Sequence, residues 1–376
     1  MKEDYRKAII SKTKRLVVKV GTGIITTGEG LLDTTQVASL SSQIVGLRRR
    51  GYEVVVVSSG AVGAGMGELG MSKRPSTFPE IQAAAAVGQG KLIGAYDDCF
   101  KAEGYHAAQV LLTREDLEER HRYLNTRNTI NALFGLKAIP IINENDTVSV
   151  EEISFSDNDI LSALVTNLLG AELLVMLSSV DGLYERPDED TGLVPLVEEI
   201  TPNIERLASR SKTHLGMGGM ESKLKATRIA TNSGEAVIVA NGREPNVLLR
   251  IMDGEALGTL FLPAHKKLTS RKRWIGFTLR PKGKIYVDDG AFNALSKRGK
   301  SLLASGIADV DGSFERGDVV SISTLSDKAE FARGLTNYSS SELVKIKGHP
   351  SASIKKILGT KPYDEVVHRD NMVLIQ

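Results

Sequence analysis

Residues 138–165 read AIPIINENDTVSVEEISFSDNDILSALV, an apolar run that turns abruptly polar and then apolar again. Residues 138–142 have the continuous hydrophobicity of a strand covered on both faces. Asn143, Glu144, Asn145 and Asp146 follow at once. Asp157, Asn158 and Asp159 come after a short excursion, and a helical pattern runs over 160–169. A strand that delivers carboxylates and amides into a loop backed by a helix is the usual layout of a ligand site in an open α/β sheet. Taken alone, the same residues would also serve as turn formers and a helix N-cap. The flanking chain has to separate the two readings.

Upstream, residues 15–20 (RLVVKV) predict a first strand, followed by Gly21-Thr22-Gly23. A helical pattern over 34–50 precedes a second apolar strand at 53–57, which ends in Ser58-Ser59-Gly60 with Gly63 and Gly65 beyond. Helices over 78–100 and 122–134 flank a strand at 106–112. Downstream, a strand at 172–177 leads into Ser178-Ser179-Val180-Asp181. Residues 185–199 have the turn chemistry of a hairpin insertion. Gly216-Met217-Gly218-Gly219 opens a helix reaching about residue 232, and strands at 236–240 and 258–262 bracket a helix over 246–253. Strands alternating with helices through Gly-rich turns imply a mainly parallel sheet between two helical layers, an αβα sandwich.

Residues 266–284 break this pattern, with eight Lys or Arg, no acid and the only tryptophan, Trp274. Short strands at 284–287, 318–323, 330–335 and 372–375 then predict a small β-rich domain. The expected organisation is a domain at 1–265, a basic linker at 266–281 and the β-rich domain at 282–376. The chain of 376 residues suits two such domains, with 41% hydrophobic and 25% charged residues. Its formal charge of +2 gives no bulk attraction to nucleic acid or membranes. One cysteine, Cys99, excludes an internal disulfide framework and points to a reducing compartment. No run is apolar enough to span a bilayer, so the expected location is the cytoplasm. The six histidines lack metal-ligand spacing.

Three Gly-rich turns on successive sheet elements suit a polyphosphate, which needs convergent backbone N–H groups unobstructed by Cβ atoms. Neither a Walker A pattern nor GxGxxG after the first strand is present. Lys19 lies near the end of an apolar strand, beside one such turn. Lys223 lies one turn inside the helix that follows another. Phosphoryl transfer asks for cations placed on the transferring group, and two opposed lysines could supply them.

These segments resemble the amino acid kinase family: KVGTG (19–23), VSSGAVGAG (57–65), INEND (142–146), SDND (156–159), SSVDGLY (178–184) and GMGGMESK (216–223). Within it they are similar to the members that phosphorylate glutamate, and the tail resembles the PUA domain. The resemblance implies ATP and L-glutamate as substrates, Mg²⁺ bridging the phosphates, and transfer to the γ-carboxylate as the first step of proline biosynthesis. It also implies feedback inhibition by proline and a homo-oligomer, dimer or tetramer. It assigns Lys19 and Lys223 to the transferring phosphoryl group and Asp159 to orienting them. Ser59, Asp146 and Asn158 would bind glutamate, with Asp157 ambiguous between substrate contact and N-cap. Gly21 and Thr22 would line the phosphate path. Ser178, Ser179, Gly218, Gly219, Met220, Glu221, Ser222 and Lys223 would line the nucleotide. The departure is Ser179, where relatives commonly have Asp, with Asp181 two residues on. N-acetylglutamate or aspartate are the alternative substrates, and RNA the alternative ligand through the basic segment and PUA-like tail.

Overall fold

The computed structural model describes residues 2–149, 158–186, 191–210, 219–264 and 267–375. The chain divides into two compact units, Met1–Lys267 and Leu268–Gln376.

The first unit is built on an eight-stranded sheet. Its strands are β1 (Arg15–Val20), β2 (Glu53–Ser58), β3 (His106–Leu112), β4 (Ala138–Glu144), β5 (Leu173–Ser178), β8 (Leu196–Val197), β9 (Ala236–Asn241) and β10 (Thr259–Phe261). The order is β3-β4-β2-β1-β5-β9-β10-β8, and every neighbouring pair is parallel except β9–β10. The chain fills one side of β1 first, then crosses to place β5 on its other side. The switch point therefore lies at β1, and the site is expected at the carboxyl ends around it. The loop expected at 185–199 divides in two. β6 (Tyr184–Arg186) and β7 (Thr191–Leu193) pair antiparallel, whereas β8 adds to the main sheet beside β10.

Strand alternation sorts the side chains into two layers. Leu16, Val18 and Val20 join Val54, Val56, Val175 and Leu177 in a core closed by Leu40 and Ile44 of helix Thr34–Arg49 and by Leu92, Tyr96 and Phe100 of helix Phe78–Lys101. Lys19 alternates to the opposite face, which helix Asn158–Leu169 covers. Helix Met220–Ser233 packs beside that helix. A lysine on this face is closed off from water, and Lys19 is only 3% exposed.

The second unit has a five-stranded sheet of β11 (Gly283–Val287), β12 (Ile307–Gly312), β13 (Val319–Thr324), β14 (Glu330–Leu335) and β15 (Met372–Leu374), in the order β12-β11-β13-β14-β15. Only β11–β13 is parallel. Part of the stretch expected as a basic linker belongs to this unit. Helix Ser270–Arg273 and the π-helical turn Trp274–Thr278 pack on β14 and β15, burying Trp274 and Ile275, and Arg333 Nη1 donates to Gly276 O at 3.0 Å. The run of charge concealed a buried apolar pair. Among the described residues, no helix is long and apolar enough to cross a membrane.

Candidate active site

Around β1 the strands end side by side, and the polar groups singled out above come from their carboxyl ends, from the turns that follow and from the helices Asn158–Leu169 and Met220–Ser233. β1 ends beside Gly21, where an added Cβ would meet Leu177 O at 3.1 Å and Lys19 Nζ at 3.6 Å. β2 ends in Ser58, and the chain then takes φ +104° at Gly60, a left-handed turn that a side chain would strain. That turn starts helix Ala61–Glu68.

The centre is a buried trio. Lys19 Nζ lies 2.5 Å from Asp159 Oδ1, and Lys223 Nζ donates to Asp159 Oδ2 at 3.2 Å. Asp159 is fully buried, and Lys223 is 5% exposed. One carboxylate from the first turn of helix Asn158–Leu169 thus holds ammonium groups from a strand and from a second helix. The trio carries a formal charge of +1. Two buried ammonium groups around one carboxylate suit an anion, and a phosphoryl group is such an anion.

Beside the trio lies an amide network. Asn158 Nδ2 donates to Ser59 Oγ and to Asn143 Oδ1, both at 2.9 Å, and more weakly to Ser58 O at 3.3 Å. Asn143 Nδ2 donates to Gln89 Oε1 at 2.9 Å. Under it, Ser58 Oγ and Tyr96 OH are 3.0 Å apart, and burial pushes the Tyr96 phenol up to about 12, so it stays neutral. Asp146 sits in the turn after β4, half-buried. Burial, with Glu144 adding its charge, pushes its carboxyl up to about 6. Gln82 Nε2 donates to Asp146 O at 2.8 Å and to Ser149 O at 3.0 Å.

On the other side of β1, Ser178 is buried at the end of β5, and Ser179 and Asp181 are exposed. Asp181 already holds two neighbours. Its Oδ1 accepts from Asn241 Nδ2 and its Oδ2 from Tyr184 OH, both at 2.9 Å. Gly219 caps helix Met220–Ser233, whose first residue is buried. Glu221 is exposed and pairs with Lys225, 2.9 Å away. Ser222 is half-buried, and Thr22 follows Gly21 into the short helix Thr22–Ile25. Asp157 and Gly218 lie outside the described residues. Asn143 was visible in the sequence only as part of a polar cluster, and Gln82 and Gln89 carried no signal at all. Among the described residues, no group of three or more His, Cys, Asp or Glu could hold a metal ion.

Residues 14–241 match the amino acid kinase family, and residues 283–358 match the PUA domain. A glutamate 5-kinase of Geobacter sulfurreducens is 49% identical over 373 residues, which span 98% of this chain and 100% of the relative. One of Syntrophotalea carbinolica is 48% identical over 372 residues, 98% of this chain and 99% of the relative. One of Thermoanaerobacter pseudethanolicus is 46% identical over 365 residues, 96% and 98% of the two chains. With a buried Lys–Asp–Lys trio at the switch point of its sheet and these relatives along its length, the chain belongs to the amino acid kinase family, among the glutamate 5-kinases.

Proposed function

We propose that the chain transfers the γ-phosphoryl group of ATP to the γ-carboxylate of L-glutamate, giving ADP and γ-glutamyl phosphate. The observation that carries this reading is the Lys19–Asp159–Lys223 trio, two buried cations held by one carboxylate at the carboxyl edge of the sheet. A γ-carboxylate has an ordinary value near ~4.3 and is ionised at neutral pH, so no general base is required. One of its oxygens forms the new bond to phosphorus as the bond to the β,γ-bridging oxygen breaks, and that electron pair leaves with ADP. The protein's task is placement and charge. Lys19 and Lys223 offset the negative charge on the transferring group, and Asp159 fixes where they point. Gly21 and Thr22 border the phosphate path. Ser178, Ser179 and the segment from Gly218 to Lys223 border the nucleotide.

Ser59, Asn158 and Asp146 form the glutamate side. A half-buried carboxylate beside Glu144 is complementary to a free α-ammonium and has nothing to gain from an acetylated amine. Asp157 joins this side as a further candidate contact. Magnesium suits this arrangement as a companion of the nucleotide, because it is commonly held through substrate phosphates rather than a protein cage. When bound it would neutralise phosphate charge. Competition by proline and a homo-oligomeric enzyme belong to the same proposal, and their support is the resemblance rather than this geometry. A coupled ADP-release assay across glutamate, N-acetylglutamate and aspartate tests the reading. Glutamate should be the preferred acceptor by a wide margin, and turnover of acetylglutamate alone would overturn it.

The pH dependence has a definite sign. Asp146 is ionised above about 6 and protonated below it. Only the ionised form attracts ammonium, so kcat/KM for glutamate should fall as the pH drops through that value. Bound ammonium favours the carboxylate, and the bend in kcat at saturation should lie at lower pH. Asp146→Asn should remove the bend and raise the glutamate KM roughly ten- to a hundredfold, the range of a hydrogen bond to a charged group. A variant that retains the bend shows that another group titrates.

A further inference from the structure

Helix Phe78–Lys101 contributes no group to the trio, yet two of its side chains hold the amino-acid side of the site. Gln82 and Gln89 are seven residues apart, two turns along one stripe of the helix. Gln82 Nε2 grips the backbone of the turn that carries Asp146, through Asp146 O at 2.8 Å and Ser149 O at 3.0 Å. Gln89, 9% exposed, presents Oε1 to Asn143 Nδ2 at 2.9 Å. That contact and the one to Asn158 occupy both ends of the Asn143 amide. Asn143 Oδ1 then accepts from Asn158 Nδ2, and the same Nδ2 donates to Ser59 Oγ. With its oxygen accepting from Asn158, Ser59 has its own proton left to donate. The NH₂ end of Asn158 is turned inward, which leaves Asn158 Oδ1 as the end available to an ammonium or N–H donor. Without Gln89, Asn143 Nδ2 loses its buried acceptor, and the Asn143–Asn158–Ser59 chain loses the support at its far end.

The stripe is rigidly seated. Between the two glutamines, Gly88 backs directly onto helix Ala61–Glu68, where an added Cβ would stand 1.9 Å from Ala61 O and 2.2 Å from Gly65 N. The helix therefore has little freedom to shift along its neighbour, and the two amides are held at set points behind the site.

We infer that Gln89 and Gln82 are positioning residues that set the enzyme's affinity for its amino-acid substrate from behind the site. Gln89 acts through the hydrogen-bonded Asn143–Asn158–Ser59 chain and Gln82 through the Asp146 turn. This rests on the glutamate kinase reading above. Gln89→Met keeps the length and helix preference of the side chain and removes its hydrogen bonds. It should raise the glutamate KM about tenfold, with the ATP KM and kcat at saturation within about twofold of wild type. In an Asn158→Ala background the same change should add almost nothing, because the link from Asn143 to Ser59 is gone. A wild-type glutamate KM in Gln89→Met, an equal rise in the ATP KM, or full additivity with Asn158→Ala would each overturn the inference. If Gln89→Met does not fold, Gln82→Met carries the test on a half-buried position. A selective rise in glutamate KM supports the inference there, and an unchanged KM overturns it. Absence of glutamate-dependent ADP release by the wild-type enzyme would sink the proposed function and this inference together. Wild-type turnover with unmoved variants sinks this inference alone.

Discussion

Replacing Lys19 by Ala should lower kcat about a hundredfold or more while ATP binding changes little. Lys19 and Lys223 share Asp159 at 2.5 and 3.2 Å, and the trio carries one net positive charge in a site closed to water. Truncation leaves Asp159 with Lys223 alone, so under the proposed mechanism one of the two cations that would face the transferring phosphoryl group is lost. One preorganised donor in such a site typically contributes a factor of ~10²–10³ to kcat. The loss should appear in kcat and kcat/KM alike, since the missing interaction strengthens as charge develops on the transferring group. The variant should remain folded, because losing one of two neighbouring cations also removes a repulsion. Steady-state kinetics with a thermal melt as control measures this. A kcat near wild type would make Lys19 a structural counterion to Asp159 and nothing more.

The largest effect on stability should come from Gly88→Ala. Helices Ala61–Glu68 and Phe78–Lys101 touch backbone to backbone. A Cβ at 88 would meet Ala61 O at 1.9 Å, and one at Gly65 would meet Ala84 O at 1.8 Å. These obstacles are main-chain atoms of two packed helices and cannot swing aside as a side-chain end could. Accommodating a methyl group means parting a helical layer that includes Ala84, Ala85 and Leu92, all at most 1% exposed. The expected cost is about 3 kcal/mol, at the upper end for overpacking. For a unit of this size that is a fall in melting temperature of roughly 6–12 °C, read by calorimetry. Gly90, two residues on, has open space at its Cβ position and makes the control. Equal melting temperatures for the Ala variants at 88 and 90 would refute the tight contact.

Much of the first unit was legible because its strands are short apolar runs punctuated by glycine. RLVVKV announced both a buried strand and a lysine out of place in it, and burial at the carboxyl edge is where Lys19 stands. The meeting of Lys19, Asp159 and Lys223 came from the resemblance, and the fold supplies the two contacts. Gln82 and Gln89 were illegible for a physical reason. Glutamine in an Ala-rich helix is an ordinary helix former, and the significance of Gln89 depends on an asparagine 54 residues away. That Asp181 holds Asn241 and Tyr184 could not be read from its place two residues after Ser179. In the second unit, β12 (IADVDG) escaped notice because an edge strand with two aspartates lacks an apolar signature. The capped helix Asp289–Arg298 was passed over although Asp288 accepts from Ala291 N in the usual N-cap manner.

The strand order also bears on how the enzyme comes into being. β1 has β2 on one side almost from the start, but its other neighbour, β5, exists only after β3 and β4 have been laid down. Asp159 arrives with the helix that makes the crossing, and Lys223 with the helix that leads into β9. Until the crossing is made, the Lys19 ammonium has no counterion and is better left hydrated than enclosed. Such distant pairings are the slow part of assembling a sheet. A sheet without the crossing holds Lys19 but neither Asp159 nor Lys223. The union of Lys19 with Asp159 and Lys223 is thus among the long-range pairings of this sheet, the class of contact whose loop closure is slowest to be repaid.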